Sequence, residues 1–374
     1  MNDRGCSVVI GHRQRLVRPD LRSPMITLSI APFHLLFREP FGTAHGLRKG
    51  TDSVFVRLER DGLLGHGEAT LPPYVKETQA SVVQLLGSPE LKNVFIREGV
   101  GLAELLDSDP WRASPGARAA VQCAYNELLI KGSNAIHSSD PDDPRTARCM
   151  VTLGSGEPAA YASRIAALPA GFPVLKVKLG GPFDLAILRE VCDHDERPLL
   201  LDANQGWRSV DQALLALDAA GAGRVIALEQ PFPKDRWDLH AALGKRTKAL
   251  VIADESIQGP DDLERAPGVF GGVNLKLMKC GGLDVARSMA ERARELGMQV
   301  MLGSMSESSL GCAAMLSLAG LADLLDLDGP WLLSNDPFEG MELCEGQLRT
   351  TVTGAGYGVQ ERMPRLLEWY PIGA

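Results

Sequence analysis

From residue 148 onward the chain repeats one pattern. Short apolar runs are separated by about one helix length, and most of them end on a charged residue. The runs are 150–152, 174–178, 199–202, 225–229, 251–254, 273–276, 299–302 and 324–328, with helical spacing at 209–219, 261–266 and 283–296. Apolar strands of this kind are buried on both faces, which alternating helices achieve by covering a parallel sheet. Eight strand–helix units in succession predict a (β/α) barrel of the TIM type. The units share architecture, with no internal sequence repeat.

The ends of the runs carry the chemistry. In order they are Thr152, Lys178, Asp202, Glu229, Asp254 and Lys276, then Ser304 just past run seven, and Asp326 and Asp328 on run eight. Any one charged strand end reads as a helix cap or a solvated rim. Lys, Asp, Glu, Asp and Lys in succession do not, because strand C-termini of a barrel converge on one mouth. Run 174–178 also puts two lysines, Lys176 and Lys178, on one strand face. Buried lysine is rare unless paired, and mutual repulsion of two ammonium groups is expected to lower at least one pKa, which suits a base.

Three carboxylates from neighbouring strands repel unless a hard divalent cation neutralises them. Magnesium fits best, with manganese as the alternative. No histidine follows His240 and no C-x-x-C pair occurs, so zinc is disfavoured. Lys178 and Lys276 flank the carboxylate strands. A substrate carbonyl on the cation would lie between two amines, one removing a proton and the other returning one to the opposite face. That is racemisation or epimerisation; a single base would suit elimination.

The rest of the chain supplies a cover. Segments 26–37, 53–59 and 64–69 alternate as antiparallel strands, with Asp61-Gly62 as a hairpin turn. Residues 40–50, rich in glycine and polar groups, read as a loop or lid. Helices are expected at 78–86, 102–106 and 117–131, followed by a linker at 132–145. Residues 25–145 thus form an α+β unit, residues 146–334 the barrel, and residues 335–374 a further segment. The basic residues 1–24 read as a loosely ordered extension. The net charge of −8 and the lack of a basic run with interleaved aromatics argue against nucleic acid, and no apolar run reaches membrane-spanning length. Seven scattered cysteines fit reduced thiols in a cytoplasm.

The motifs Lys176-Val-Lys178, Asp202-Ala-Asn204, Glu229-Gln-Pro, Asp254-Glu-Ser and Lys276-Leu-Met-Lys-Cys-Gly-Gly282 resemble, as a set, the enolase superfamily and its muconate-lactonizing-enzyme subgroup. The resemblance implies a modified (β/α)7β barrel, capped by an α+β domain to which the C-terminal segment returns. It implies Lys178 and Lys276 as an acid/base pair. Asp202, Glu229 and Asp254 become magnesium ligands, and Lys176 a neighbour that tunes Lys178 and touches the substrate carboxylate. Gly303-Ser-Met-Ser-Glu-Ser308 and the Asp326-Leu-Asp328 pair look like motifs of the dipeptide epimerases. There the paired aspartates hold a free ammonium, and Thr152, Ser304 and Ser306 stand where the peptide is contacted. In Ala-Glu enzymes an arginine of the lid pairs with the glutamate; here His45 stands at that place, with Arg48 and Lys49 just downstream. The expectation is therefore a magnesium-dependent dipeptide epimerase, in a homo-oligomer. The alternatives are an N-acyl amino acid racemase, an o-succinylbenzoate synthase or a muconate cycloisomerase, and, more distantly, a non-catalytic barrel. Substrates without an α-ammonium would leave Asp326 and Asp328 unpaired. Dehydratases of the mandelate-racemase type use a histidine near strand seven, which this chain lacks.

Overall fold

A computed structural model describes residues 25–43, 46–133, 147–221, 223–352 and 356–372. The extension 1–24, most of the expected linker and His45 lie outside the described residues.

Three long strands open the chain: β1 (Thr27–Thr43), β2 (Gly46–Arg60) and β3 (Leu63–Leu71). They pair antiparallel, and the short strand Tyr370–Pro371 lines the free edge of β1. Asp61 and Gly62, both at positive φ (55° and 78°), make the tight turn between β2 and β3. Period-two alternation gives the sheet two apolar faces. Leu28, Ile30, Val54, Val56 and Leu58 face a helical layer, while Ala31, Leu35 and Phe55 join the barrel's core. The helices are α1 (Gln79–Leu86), α2 (Pro89–Ile96), α3 (Leu102–Leu106) and α4 (Pro115–Gly132). Helix α4 lies directly on β3 because Gly65 and Gly67 leave room. A Cβ there would meet the carbonyl oxygens of Ala124 and Ala120 at 2.1 and 1.9 Å. From α4, buried Arg118 reaches the barrel, donating to Gly281 O at 2.7 Å and to both carboxylate oxygens of Asp284.

The expected barrel is present. Strands β4 (Arg148–Leu153), β5 (Val174–Lys178), β6 (Leu199–Asp202), β7 (Val225–Glu229), β8 (Leu250–Ala253), β9 (Gly272–Lys276), β10 (Gln299–Gly303) and β11 (Leu324–Asp326) pair in parallel and close on themselves. Helices surround them. After β11 there is only one helical turn, Gly329–Leu332, and the chain then returns to the first sheet, where Ser334 N donates to Leu36 O. This is seven strand–helix units and a final strand, with the cover built from both ends of the described chain.

Strand parity stacks the barrel interior in layers. Met150, Val174, Leu200, Ala227, Ile252, Met301 and Leu324 form one apolar layer. Two residues further along these strands stand Thr152, Lys176, Asp202, Glu229, Asp254, Gly303 and Asp326, on the same inward face and nearer the strands' C-terminal ends. Alternation thus places the polar groups directly above a dry apolar base.

Two expectations need correction. Residues 40–43 and 46–50 continue the β1–β2 ribbon where a loop was expected, with Phe41 opposite Arg48 and Gly42 opposite Leu47 after an irregularity between Leu36 and Phe41. A bridge from Gly42 to Ser155 pins this ribbon to the loop after β4. Strand eight ends at Asp326, so Asp328 sits beyond it, as the cap of the turn that follows. Helices at Asp184–His194, Trp237–Gly244 and Ser309–Leu316 are additional to those expected.

Candidate active site

The strand register sets the charged residues side by side. Lys178 is level with Asp202, and Asp202 with Glu229; on the other side Lys276 and Asp326 are both level with Gly303. Asp254 follows β8 directly. All of these side chains are buried, Asp202 and Glu229 completely. Gly303 carries no side chain at this level for a steric reason: a Cβ would lie 2.2 Å from Asn274 Oδ1. Asn274 in turn donates to Glu229 Oε1 at 2.7 Å.

Ion pairs run through the cluster. Lys178 Nζ is 2.5 Å from Asp202 Oδ2, and Lys276 Nζ is 2.6 Å from Asp254 Oδ2. Lys176 Nζ lies among three carboxylates, 2.6 Å from Asp326, 2.6 Å from Glu229 and 3.2 Å from Asp202. The repulsion expected to lower a lysine pKa is overridden here. Burial opposes the charge on Lys176, but Asp326, Glu229 and Asp202 raise its pKa well above the ordinary value. Lys176 is buried and is not among the residues that line the cavity described below. Burial and then Asp254 act in opposite senses on Lys276, and the carboxylate prevails, holding it above the usual lysine range.

The carboxylates divide. Burial alone would raise Asp202, but Lys178 and Lys176 bring it to about 2; Lys276 and Lys279 likewise outweigh burial and hold Asp254 low. Glu229 is pushed up to about 7, by burial first and by the Asp202 charge second. Its Oε2 approaches Lys176 but makes no hydrogen bond. An oxygen-only donor set with one incompletely satisfied buried carboxylate fits magnesium, with Asp202, Glu229 and Asp254 as the residues to hold it. Among the described residues no three such side chains are already gathered about one point, because the ammonium groups stand between them.

Above the cluster lies a cavity of about 640 Å³. Its walls include Thr152, Lys178, Asp254, Lys276, Ser304, Ser306, Asp326 and Asp328 from the sequence-derived set. Thr152 knits the aspartate pair. Its N–H donates to Asp328 Oδ2 at 2.6 Å, and its hydroxyl lies 3.3 Å from Asp326 Oδ1. Burial, then the Asp326 charge, pushes Asp328 up to about 7. Two crowded, buried carboxylates of this kind favour a cation.

Other groups on the wall carried weaker sequence signals. Asn204 and Gln205 hold positive φ (43° and 67°), as does the already named Ser306 (73°), the backbone strain common at mouth loops. Glu255, adjacent to Asp254 in its motif, is pushed up to about 7 by burial and by Asp254, with Oε2 unpartnered among the described residues. Lys279 donates to Asp254 Oδ1 at 2.6 Å and to three backbone oxygens, fixing that carboxylate. Arg48 and Tyr74 come from the first sheet and the loop after it, far away in sequence.

Residues 160–362 match the family described as enolase C-terminal domain-like. The chain is 33% identical to the L-Ala-D/L-Glu epimerase of Bacteroides thetaiotaomicron over 86% of this chain and 84% of that protein. It is 34% identical to the L-Lys-D/L-Arg epimerase of Methylococcus capsulatus, over 85% and 94%. A crystal structure of a dipeptide epimerase from Methylococcus capsulatus, complexed with Mg and the dipeptide L-Arg-D-Lys, superposes with a TM-score of 0.75 at 31% identity, covering 90% of this chain and 99% of that one. By its motif set, its capped parallel barrel and these similarities, the chain belongs to the enolase superfamily, with the enolase C-terminal domain-like barrel.

Proposed function

We propose that this protein is a dipeptide epimerase that inverts the α-carbon of the C-terminal residue. The observation that carries the reading is the pair Lys178 and Lys276. They stand on strands flanking Asp202, Glu229 and Asp254, and both reach the cavity that Asp326 and Asp328 also line. Asp326 and Asp328 bind the substrate's free ammonium and thereby orient the peptide. Asp202, Glu229 and Asp254 hold magnesium, with manganese as the alternative occupant. When bound, magnesium supplies positive charge for the substrate carboxylate, where electron density gathers as the α-proton leaves. With Asp202 and Asp254 shared with a cation, Lys178 and Lys276 would each face less negative charge, and one of the two would stand as the free amine.

One lysine, as the neutral amine, takes the α-proton and becomes an ammonium. The other, as the ammonium, gives a proton to the opposite face and becomes an amine. The exchange is balanced, and the reverse reaction uses the same two groups in exchanged states. Residues 146–334 carry this chemistry, and 25–145 together with 335–374 cover it. The reading includes a cytoplasmic homo-oligomer. No described helix is long and apolar enough to cross a membrane, and the six described cysteines are all free.

The test is incubation of the magnesium-loaded protein with L,L-dipeptides in deuterated water. Deuterium is expected at the C-terminal α position, together with the L,D-epimer. Lys178→Ala and Lys276→Ala are each expected to lower two-way turnover by at least a hundredfold. Absence of exchange across a diverse dipeptide set, or full turnover in either variant, would overturn the reading.

A further inference from the structure

We propose that Arg118 is a positioning residue for Lys276, so that helix α4 of the cover fixes one of the two reacting amines. The proposal rests on the epimerase reading, in which Lys276 serves one face of the α-carbon.

Lys276 ends β9 and caps the one-turn helix Leu277–Cys280. A single turn does not hold itself, because nucleating it costs more than its few hydrogen bonds return. This one is held from the cover. Thr70 N of β3 donates to Met278 Sδ at 3.3 Å. Gly281 ends the turn at positive φ (77°), and its carbonyl accepts Arg118 Nη1 at 2.7 Å. Two residues on, Leu283 N donates to Gln122 Oε1 at 2.9 Å. Arg118 and Gln122 are one turn apart on the same face of α4. Gly281 and Gly282 leave room for that face. A Cβ on Gly281 would lie 3.1 Å from Arg118 Cδ, and one on Gly282 would lie 3.0 Å from Arg118 Nη1.

Arg118 is buried, and its whole hydrogen-bonding capacity goes into this contact. Nε donates to Leu106 O at 3.1 Å, Nη1 to Gly281 O and Asp284 Oδ1, and Nη2 to Asp107 Oδ1 and Asp284 Oδ2. A planar fork with every donor engaged has one orientation open to it. A buried ion pair adds little net stability over an apolar replacement, and its best use is to set register. The support is itself fixed, since Glu77 of the cavity wall accepts Gly116 N and Ala117 N at the start of α4. The register set here is that of the residues between β9 and the helix Leu283–Glu295. Lys276 Nζ lies 2.6 Å from Asp254 Oδ2, and Lys279 Nζ, on the same turn, lies 2.6 Å from Asp254 Oδ1. A shift of the turn therefore moves Lys276. Lys178 is independent of it, on β5, which pairs with β4 and β6.

The experiment follows loss of the α-proton in deuterated water from an L,L-dipeptide and, separately, from its L,D-epimer. The probe is the fastest-exchanging member of a set that includes L-Ala-L-Glu, L-Ala-L-Phe and L-Lys-L-Arg, with the magnesium-loaded protein. With two bases on opposite faces, each lysine takes the proton from one epimer. Lys276→Ala identifies the epimer that depends on Lys276, as the one whose exchange falls more. Arg118→Met is expected to slow that epimer roughly tenfold more than the other, as displacement of a reacting group does. Arg118→Lys, which keeps the charge and a donor for Gly281 O, should restore part of the difference. A merely structural loss would slow both epimers alike. Without any dipeptide, backbone amide exchange over 277–283 is expected to quicken roughly fivefold in Arg118→Met and to stay unchanged over 174–178. Asp284→Asn, at a side chain about half exposed, should move both readouts the same way by less, so an Arg118 variant that fails to fold leaves the test standing. Equal slowing of the two epimers, no slowing, or unaltered amide exchange over 277–283 would each overturn the proposal. If the native protein exchanges no member of the set, the epimerase reading fails, and amide exchange still decides whether Arg118 holds the turn.

Discussion

Two lysines two residues apart on β5 have different surroundings. Lys178 borders the cavity, whereas Lys176 is 1% exposed and enclosed by three carboxylates. Parity shows that they share a face, but not that Asp326, 150 residues away in sequence, comes back to meet the first of them. The strand-end charges were legible because parity and barrel geometry are local rules. Tyr74 and Glu255 were not, since distant contacts or immediate crowding bring them to the wall, and Arg48 was noted only for its place downstream of His45. Gly303 shows the same limit: its need for a bare backbone comes from Asn274 on the neighbouring strand. Gly303→Ala is expected to destabilise the fold by about 1–3 kcal/mol, because the overpacked interior has to shift the amide that supports Glu229. Urea unfolding measures the loss, and a smaller loss in Asn274→Ala/Gly303→Ala than the two single changes add up to would identify the clash as its source.

At the level of elements, the loop after β7 positions the end of β8. Gln230 Oε1 accepts the backbone N–H groups of Asp254 and Ser256 at 3.0 and 3.1 Å, and its amide donates to Ser256 Oγ and Phe232 O. His240, from the helix Trp237–Gly244, packs against this turn. Its Nδ1 donates to Arg236 O at 2.8 Å, leaving Nε2 as the acceptor for Phe232 N at 3.4 Å. The neutral ring is thus required, and burial lowers its pKa to about 4. The folded pKa is depressed below the unfolded value of about 6.5, so the unfolded chain takes up a proton between those limits and the folded chain does not. The contribution is full above about pH 6.5 and falls away toward pH 4, by about 3 kcal/mol over the window. Urea midpoints measured from pH 7.5 to 4 should fall less steeply in His240→Gln than in the native protein; parallel curves would refute this. The strands were readable from apolar runs and spacing. The β1–β2 ribbon was not: its glycine and polar content suggested a loop, and its anchor at Ser155 lies more than a hundred residues away.

Across the whole molecule, the barrel base supplies dryness and the mouth supplies charge, with the first sheet, α4 and the C-terminal strand held over it. Burying Asp202, Glu229 and Asp254 together is tolerated in this structure by committing Lys176, Lys178 and Lys276 as counter-ions. Magnesium bound only by the folded protein stabilises it by mass action, about 2.7 kcal/mol at a hundredfold excess over its dissociation constant. The thermal midpoint is expected to rise with added magnesium and to drop back on chelation, together with loss of deuterium exchange. A midpoint indifferent to both would contradict a carboxylate-bound cation. The barrel and its cover were largely legible, because eight repeats constrain each other; the way the two ends share one sheet was expected only through the resemblance, since Tyr370–Pro371 is too short a strand to signal itself. The layered interior carries a genetic consequence. Each barrel strand spends every second residue on the inside, so insertion of a single codon within one of them would turn its charge outward among the helices and bring an outer apolar residue in. The same insertion in the connection behind that strand leaves its parity untouched. The reading frame of the folded protein therefore has a second, stricter register of two residues, kept separately by each strand, and lineages of such a barrel should accumulate length changes between the strands while the strands themselves stay fixed in length.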